Sequence, residues 1–367
     1  MAGEEVSRRS FLKHAGIVGG AAALSGCAPQ QGPAAGGGAS GKHYEWQMVT
    51  AWPANFPVLQ ESAEEIAAWI AAMSSGRLTI QVHGAGELVP ALGVFDAVAQ
   101  GSAQMGHSAA YYWKGKSAAA QFFTTVPFGF NAQQMNAWLL AGGGMELWRE
   151  LYAGFGLVPF AIGNTGVQMG GWFRNEIGSL SDLKGLKMRI PGLGGEVLSA
   201  AGGKAELTPG GEIYTSLERG RIDATEFIGP FHDTKLGLHK VADYYYYPGW
   251  HEPGSTLEMM VNKAAYDELP ADLQAIVTAA AARSNMLLLS RMDAANSTAL
   301  VELRAAGKTK ILPFPEDVLS GLRKHATEVL DGMAGDPFTK RVYESYRAFR
   351  ENISVWSKVS EQAYYDL

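Results

Sequence analysis

YEWQMVTAWPANFPVLQESAEEIAAWIAAMSSGRLTIQVHG, residues 44–84, indicates the fold class because its periodicity changes twice. Apolar and polar residues alternate over the first nine positions, which is typical of a strand. Leu59, Ile66 and Ile70 then recur near helical spacing until Gly76, and a second alternating run follows. Strand, helix and strand in this order predict a mostly parallel sheet covered by helices, which is an α/β fold.

The same rhythm returns further along the chain. LVPFAIG (157–163) reads as a strand, LKMRIPG (186–192) as a strand that opens into a glycine-rich turn, and GEIYTSLERGRIDATEF (211–227) as helix, turn and strand. The roughly 325 residues from Tyr44 onward suit two lobes of ordinary domain size.

The C-terminal third of the chain predicts two long helices. Residues 271–306 contain no glycine or proline, so one helix there would be on the order of 50 Å long and would span both lobes. Residues 338–367 predict an amphipathic helix that packs on its own body or on a partner. Its apolar positions recur every three or four residues: Val342, Tyr346, Phe349, Ile353, Trp356 and Val359.

The first 26 residues predict an export signal. Arg8 and Arg9 precede a mildly apolar stretch that is too short and too rich in glycine and alanine to span a bilayer. The paired arginines indicate the bacterial twin-arginine route and therefore a periplasmic protein. Residues 27–43, rich in glycine, alanine and proline, predict a flexible tether.

Cys27 is the only cysteine of the chain and ends the sequence LSGC. This stretch resembles the lipobox of bacterial lipoproteins, which implies that Cys27 is lipidated and anchors the protein to a membrane. The alternative is a chance cysteine in a signal that is cleaved further on. Because no second cysteine exists, the fold has no disulfide and no thiolate metal site.

The charge of the chain argues against nucleic-acid binding. Removing residues 1–26 takes away three basic and two acidic residues and changes the formal net charge from −6 to −7. An acidic exported protein is a poor match for a polyanion. After the signal, no apolar run approaches the length of a membrane span.

Catalytic motifs are weak throughout the chain. GLGGEVLSAAGG (192–203) lacks the third glycine of a dinucleotide loop, because Val197 stands at that position. His251 and Glu252 are followed by Pro253 and not by the second helical histidine of a zinc protease. No G-x-S-x-G elbow occurs. We therefore predict that the protein is not an enzyme.

Three stretches carry stronger information: residues 163–192, 211–230 and 244–263. Within them, LKGLKMRIPG (183–192) and LERGRIDATE (217–226) resemble signature segments of the extracytoplasmic solute-binding proteins of TRAP (tripartite ATP-independent periplasmic) transporters. The resemblance extends over essentially the whole chain after the signal. TGVQMGGWFR (165–174) and YPGWHEPGSTLE (247–258) are similar to the subgroup that binds 2-oxo acids such as pyruvate together with sodium.

The resemblance implies that Arg189 binds the substrate carboxylate. A guanidinium presents a planar fork that matches a carboxylate, and burial between two lobes would strengthen the pair. The alternative is a structural salt bridge on a strand edge.

The resemblance also implies a cation site formed by Gln168, Glu226 and the backbone carbonyl of Phe227. All three offer oxygen, as a hard cation requires, and the cation would bind the acid as well. The subgroup has tryptophan where this chain has Phe227, so a backbone ligand survives while the pocket wall changes. Calcium with lactate or another 2-hydroxy acid, the preference of a sister subgroup, stays open, as does an ion pair of Glu226 with lysine or arginine.

Aromatic side chains are predicted to line the cleft. Tyr112 follows a strand, where ligand sites lie in α/β folds, and is expected to donate a hydrogen bond to the substrate. Trp52, Phe56 and Trp250 are expected to enclose its alkyl end, with plain core packing as the alternative for each.

The resemblance thus implies a two-lobed periplasmic binding protein, type II-like, with a lobe-spanning helix and a C-terminal helical extension. Lobe one is predicted from residues 44–164 and 253–300, and lobe two from 165–252 and 301–337. The implied partners are a small organic acid, membrane permease subunits and a second copy of the chain in a homodimer. An exported enzyme or a sensor on the same fold stays as the alternative.

Overall fold

A computed structural model describes residues 42–367 of the chain. The predicted signal, Cys27 and nearly all of the tether lie outside the described residues. Eleven strands are found within the described range: β1 Tyr44–Thr50, β2 Leu78–His83, β3 Met105–Ser108, β4 Leu157–Asn164, β5 Gly171–Phe173, β6 Lys187–Arg189, β7 Lys204–Glu206, β8 Ala224–Thr225, β9 Tyr244–Tyr247, β10 Thr256–Asn262 and β11 Lys310–Pro313.

Helices occupy most of the remaining described chain. They are α1 Leu59–Met73, α2 Val94–Ala99, α3 Ala132–Ala141, α4 Gly144–Ala153, α5 Gly192–Ala200, α6 Ile213–Glu218, α7 Pro230–Lys235, α8 Lys263–Asp267, α9 Ala271–Ala306, α10 Glu316–Gly332, α11 Pro337–Ser357 and α12 Ala363–Tyr365. Short 3-10 helices, among them Ala110–Trp113 and Ala118–Phe123, connect several of these elements.

The strands form two sheets, one for each lobe. The first sheet has the order β2-β1-β3-β10-β4 and the second β11-β9-β5-β8-β6-β7. Within each sheet one strand runs against the rest: β10 is antiparallel to β3 and β4, and β5 is antiparallel to β8 and β9. The prediction of mostly parallel sheets is therefore confirmed, and each exception is a strand that the chain enters after crossing from the other lobe.

The glycine-rich segment after β6 is helical where the sequence predicted a turn. Gly192 has φ +59 and begins α5, and the Cβ atom that a larger residue would carry there would lie 3.1 Å from Cβ of Tyr111. Leu193, Val197 and Leu198 are buried on this helix, so packing of its apolar side outweighs the weak helix preference of the glycines.

Helix α9 confirms the predicted long helix. It covers 36 residues, about 54 Å, and packs on β4 and α1 of the first lobe and on α7, which follows β8 of the second sheet. Leu273, Val277, Leu288 and Leu303 lie on its buried side. No helix within residues 42–367 has both the length and the apolarity that crossing a bilayer requires.

Helix α11 uses only part of its predicted apolar face. Val342 and Tyr346 are buried against the 3-10 helix Ala118–Phe123, and the Tyr346 hydroxyl accepts a hydrogen bond from the Phe130 backbone N–H at 2.9 Å. Towards the C-terminus the same face opens to solvent, because Trp356 is 64% exposed and Val359 71% exposed.

A buried carboxyl group lies in the middle of the first sheet. Glu258 on β10 is fully buried and accepts hydrogen bonds from Trp113 Nε1 and the Tyr152 hydroxyl, both at 2.6 Å. Burial raises the pKa of Glu258 to about 7, and the two hydrogen bonds oppose this only in part. The folded state therefore holds the neutral acid below about pH 7.

We predict that Glu258 makes the protein less stable as pH rises. The folded pKa lies above the unfolded value, so the folded state binds the extra proton, and this contribution to stability is lost as pH rises through about 7. Glu258→Gln should remove the loss, which amounts to about 2.5 kcal/mol between pH 5 and pH 8. Urea denaturation of the parent and the variant at both pH values measures this loss of stability.

Glu64→Gln serves as the control, because Glu64 is exposed on α1. This variant should follow the parent at both pH values. A Glu258→Gln protein that loses as much stability as the parent on raising the pH would contradict the assignment.

Candidate functional site

Two segments that connect the lobes run side by side. The chain leaves β4 through residues 165–170 and returns from β9 through residues 248–255. Their backbones are hydrogen bonded: the Thr165 N–H donates to the Ser255 carbonyl at 3.0 Å, and the Gly249 N–H to the Gln168 carbonyl at 2.8 Å. A Cβ atom on Gly249 would lie 2.4 Å from that carbonyl oxygen, so this approach requires glycine.

Strand pairing in the second sheet brings Arg189 and Glu226 together. Arg189 is opposite Thr225 in the parallel pair β6 and β8, and Glu226 is the next residue after β8. Both side chains are 1% exposed. The Nη1 group of Arg189 donates to the Glu226 carboxylate and to the Glu226 backbone carbonyl, the latter at 3.1 Å. The alternative interpretation, an arginine–glutamate ion pair, is thus the contact found here.

The remaining donors of Arg189 set the direction in which it can bind a ligand. Its Nε group donates to the Thr208 carbonyl at 3.1 Å, and Nη2 lies 3.5 Å from the Tyr112 hydroxyl. Because Glu226 occupies Nη1, the Nη2 edge beside Tyr112 is the part of the guanidinium that remains for another anion.

Gln168 is buried on the first crossing segment. Its Nε2 group donates to Glu252 Oε2 at 2.8 Å and to Thr165 Oγ1 at 3.1 Å. Its Oε1 atom is buried and has no hydrogen-bond partner among the described residues. A buried amide oxygen that accepts no hydrogen bond is available to bind a hard cation. The chemistry of Gln168 therefore fits the predicted metal site.

His251 and Glu252 belong to the same cluster, although the sequence analysis assigned them no role. Ligand atoms of Glu226, His251 and Glu252 all lie within 4.8 Å of one another, and His251 Nε2 is 3.3 Å from Glu226 Oε2. Burial raises the pKa of Glu252, and the charge of Glu226 raises it further. The signal in the sequence was the pair of adjacent titratable residues between Trp250 and Pro253. Because the pair does not fit the zinc-protease motif, it was not assigned to the binding site.

The loop after β8 is held by a second buried acid that the sequence analysis missed. Asp233 on α7 accepts hydrogen bonds from the Ile228 N–H at 3.2 Å, from Trp172 Nε1 at 3.0 Å and from the Tyr245 hydroxyl at 2.7 Å. Burial raises the pKa of Asp233 to about 6. These contacts fix the backbone that carries Glu226 and Phe227.

Besides Tyr112, Phe227 is the aromatic residue that contacts Arg189, and Phe56 packs on Phe227. Their rings meet edge to face with centroids 5.9 Å apart, and the Arg189 guanidinium carbon lies 5.7 Å from the Phe227 centroid. Phe227 also rests on Gly210, where a Cβ atom would come within 3.0 Å of the ring. Phe56 and Phe227 therefore form one apolar side of the site.

Trp52 is buried in contacts away from the charged cluster, whereas Trp250 lies between Phe128 and His251 of that cluster. Trp52 Nε1 donates to His107 Nδ1 at 2.7 Å, and burial lowers the pKa of His107 to about 3, so this imidazole is a neutral acceptor. Trp250 stacks on Phe128 with centroids 5.8 Å apart. Their roles as walls of the ligand site stay predictions.

The geometry assembles buried groups of both charges. The Arg189 guanidinium contacts Glu226, whose carboxyl group lies close to that of Glu252, and every polar group of the site is buried. The Gln168 amide bonds to Glu252, and the Phe227 ring lies against Arg189. Such a set complements a small anion together with a hard cation, because buried charges are stable only when compensated.

A family model described as bacterial extracellular solute-binding protein, family 7 (DctP) matches residues 48–336. The chain belongs to the DctP family. A relative from Nostoc sp., named a monocarboxylate 2-oxoacid-binding periplasmic protein, is 45% identical over 360 residues, 98% of each chain. The family is one of extracytoplasmic, solute-binding transport proteins.

Two solved TRAP periplasmic solute-binding proteins are similar to this DctP protein over 89% of its length and 99% of theirs. The protein from Pseudoalteromonas atlantica, with bound sodium and pyruvate, is 46% identical with a TM-score of 0.87. The protein from Colwellia psychrerythraea, with bound calcium and pyruvate, is 45% identical with a TM-score of 0.86. The predicted family and two-lobed fold are confirmed.

We predict that Arg189 and Glu226 depend on each other for stability. Arg189→Met leaves a buried carboxylate without its partner and should cost about 3–5 kcal/mol of the free energy of unfolding. Adding Glu226→Gln should recover most of that cost, because no buried charge then remains unpaired. Urea denaturation of both single variants and the double variant measures the coupling.

The control is Arg221→Met, which removes an exposed ion pair with Glu206 and should cost less than about 1 kcal/mol. The interpretation is wrong if Arg189→Met and Arg221→Met cost the same.

Proposed function

We propose that the protein captures a small monocarboxylic 2-oxo acid of pyruvate size, together with a cation, and delivers it to the membrane subunits of a TRAP permease. The observation that carries this proposal is the unpaired Oε1 atom of Gln168, whose amide is hydrogen bonded to Glu252 in the cluster that contains Glu226. The relatives that bind pyruvate support the ligand class. We further propose that the protein has no catalytic activity.

In this proposal Arg189 binds the carboxylate of the acid through its Nη2 edge, and Tyr112 donates a hydrogen bond to the same ligand. Gln168 and Glu226 would hold the cation with the Phe227 carbonyl. When bound, the cation supplies positive charge to the carboxylate and keto oxygens of the acid. Phe56 and Phe227 limit the length of the alkyl end, because their rings are already in contact.

Sodium and calcium are both compatible with oxygen ligands, and the two solved relatives contain one each. We propose sodium as the cation, with calcium as the alternative. A 2-hydroxy acid such as lactate is then the competing ligand, and the experiment below separates the two.

We also propose how the protein is exported and held at the membrane surface. The twin arginines of SRRSFLK direct export, and the LSGC stretch directs lipidation of Cys27. A lipid at Cys27 followed by the tether would keep the binding lobes near the permease at the membrane surface.

We predict a cation-dependent increase in melting temperature with 2-oxo acids. A ligand that binds only the folded state stabilises it by mass action, on the order of 5 °C at a hundredfold excess over Kd. Thermal unfolding of ligand-stripped protein should show this with pyruvate in sodium and not in sodium-free buffer with a chelator.

Lactate and calcium are the comparisons in this experiment. A calcium-dependent shift with lactate alone would replace the 2-oxo acid by a 2-hydroxy acid. The absence of any shift over a panel of 2-oxo and 2-hydroxy acids would refute the proposed substrate class.

We propose a homodimer formed through the exposed end of α11, and we predict that Trp356→Glu weakens it. Trp356 and Val359 continue the apolar face on which Val342 and Tyr346 pack, yet lie in solvent. A charge at Trp356 should shift the protein to the monomer in sedimentation velocity. Glu351→Lys, an exposed change on the same helix, is the control; identical behaviour of both variants would exclude this surface.

A further inference from the structure

The orientation of the Gln168 amide decides whether it can bind a cation at all. Its oxygen attracts a cation, whereas its NH2 group repels one, and the two ends have nearly the same shape. The hydrogen-bond network therefore has to select one of two orientations. In this structure the selection is made by residues that no step of the proposed binding uses directly.

We propose that Glu252, with Thr165 and Ser255, is a positioning residue that holds Gln168 with its Oε1 atom towards the cation. This inference rests on the proposed function, since it concerns the same cation site. Glu252 Oε2 accepts one hydrogen of Gln168 Nε2 at 2.8 Å, and Thr165 Oγ1 accepts the other at 3.1 Å. Both Nε2 hydrogens are thereby used, and only Oε1 remains free.

Thr165 accepts from Gln168 because its own proton is committed elsewhere. The Thr165 hydroxyl donates to the Gly166 carbonyl at 3.0 Å and accepts from the Ser255 N–H at 3.2 Å. If the Gln168 amide turned over, its oxygen would face lone pairs of Thr165 and lose that hydrogen bond.

Glu252 selects the same orientation. In its ionised form Glu252 only accepts hydrogen bonds, and its Oε2 atom also receives the Ser255 hydroxyl. An inverted Gln168 would place its oxygen against this carboxylate oxygen. The two acceptors therefore act together: an inverted Gln168 would require Thr165 to give up its hydrogen bond to the Gly166 carbonyl and Glu252 to take up a proton.

The positions of these residues are fixed by the crossing segments themselves. Thr165 and Gln168 lie on one segment and Glu252 and Ser255 on the other, and all four are buried. The Gln168 N–H donates to the Glu252 carbonyl at 3.2 Å, so backbone pairing sets the distance between the two side chains. The oxygen is thus oriented before a ligand arrives, which lowers the cost of binding the cation.

The experiment measures pyruvate binding by isothermal titration calorimetry at a series of sodium concentrations. Its readout is the sodium concentration at which pyruvate binding reaches half of its maximal effect. Thr165→Val removes one acceptor for Gln168 Nε2 with little change in shape, and Glu252→Leu removes the second acceptor. Each should raise the half-saturating sodium concentration at least tenfold. At saturating sodium the pyruvate Kd should stay within about threefold of the parent value, because Arg189 is unchanged.

Conservative variants separate positioning from plain structure. Thr165→Ser keeps the acceptor for Gln168 Nε2, so it should restore the sodium requirement to within about threefold of the parent. Glu252→Gln adds an NH2 donor that can bond the oxygen of an inverted Gln168, so it should keep a raised sodium requirement. Thr298→Val, an exposed change on α9, is the matched control. Melting temperatures of the ligand-free variants show whether each one folds. If Glu252→Leu does not fold, Thr165→Val tests the proposal by itself.

The outcomes are distinct. Parent-like sodium dependence in Thr165→Val would overturn the positioning role, and so would equal defects in Thr165→Ser and Thr165→Val. Cation-independent binding of pyruvate by the parent, or no binding, would instead overturn the proposed function and the positioning role with it.

Discussion

The pairing of two crossing segments, residues 165–170 and 248–255, is the constraint on which the rest of the structure depends. It joins the two sheets, and the strands that follow its segments, β5 and β10, are the ones that run against the other strands of their sheets. Because the segments bond to each other through the backbone, the residues they carry keep fixed distances. A two-lobed protein can close on a ligand around such a pair without losing the geometry at its centre.

The site is built where this pair meets the ends of β6 and β8. Those strand ends bring Arg189 next to Glu226, and the crossing segments add Gln168, His251 and Glu252. Desolvated charges of both signs are costly unless they are matched. The arrangement therefore favours a ligand that brings both a negative group and a cation, and offers little to a neutral solute.

The sequence predicted much of this site because its key residues lie in recognisable segments. Arg189 and Glu226 lie at the ends of strands whose apolar residues can be recognised in the sequence, and Gln168 lies between two such strands. The contact between Arg189 and Glu226 could not be assigned from the sequence, where an ion pair of either residue was only an alternative, because 36 residues separate them and only strand pairing joins them. Glu252, Thr165 and Ser255 were missed for a related reason: their contacts arise between two loops, where no periodicity exists.

The sequence by itself determined the alternation of strands and helices, the long helix α9, the acidic charge and the family resemblance. Each of these depends on local spacing or composition, which a single chain displays directly. Only the tertiary structure decided which strands are antiparallel, which half of the α11 face is covered, and which of the predicted aromatic residues reach Arg189. Those features depend on which distant segments come into contact, and hydrogen bonding and burial settle that only once the chain is folded.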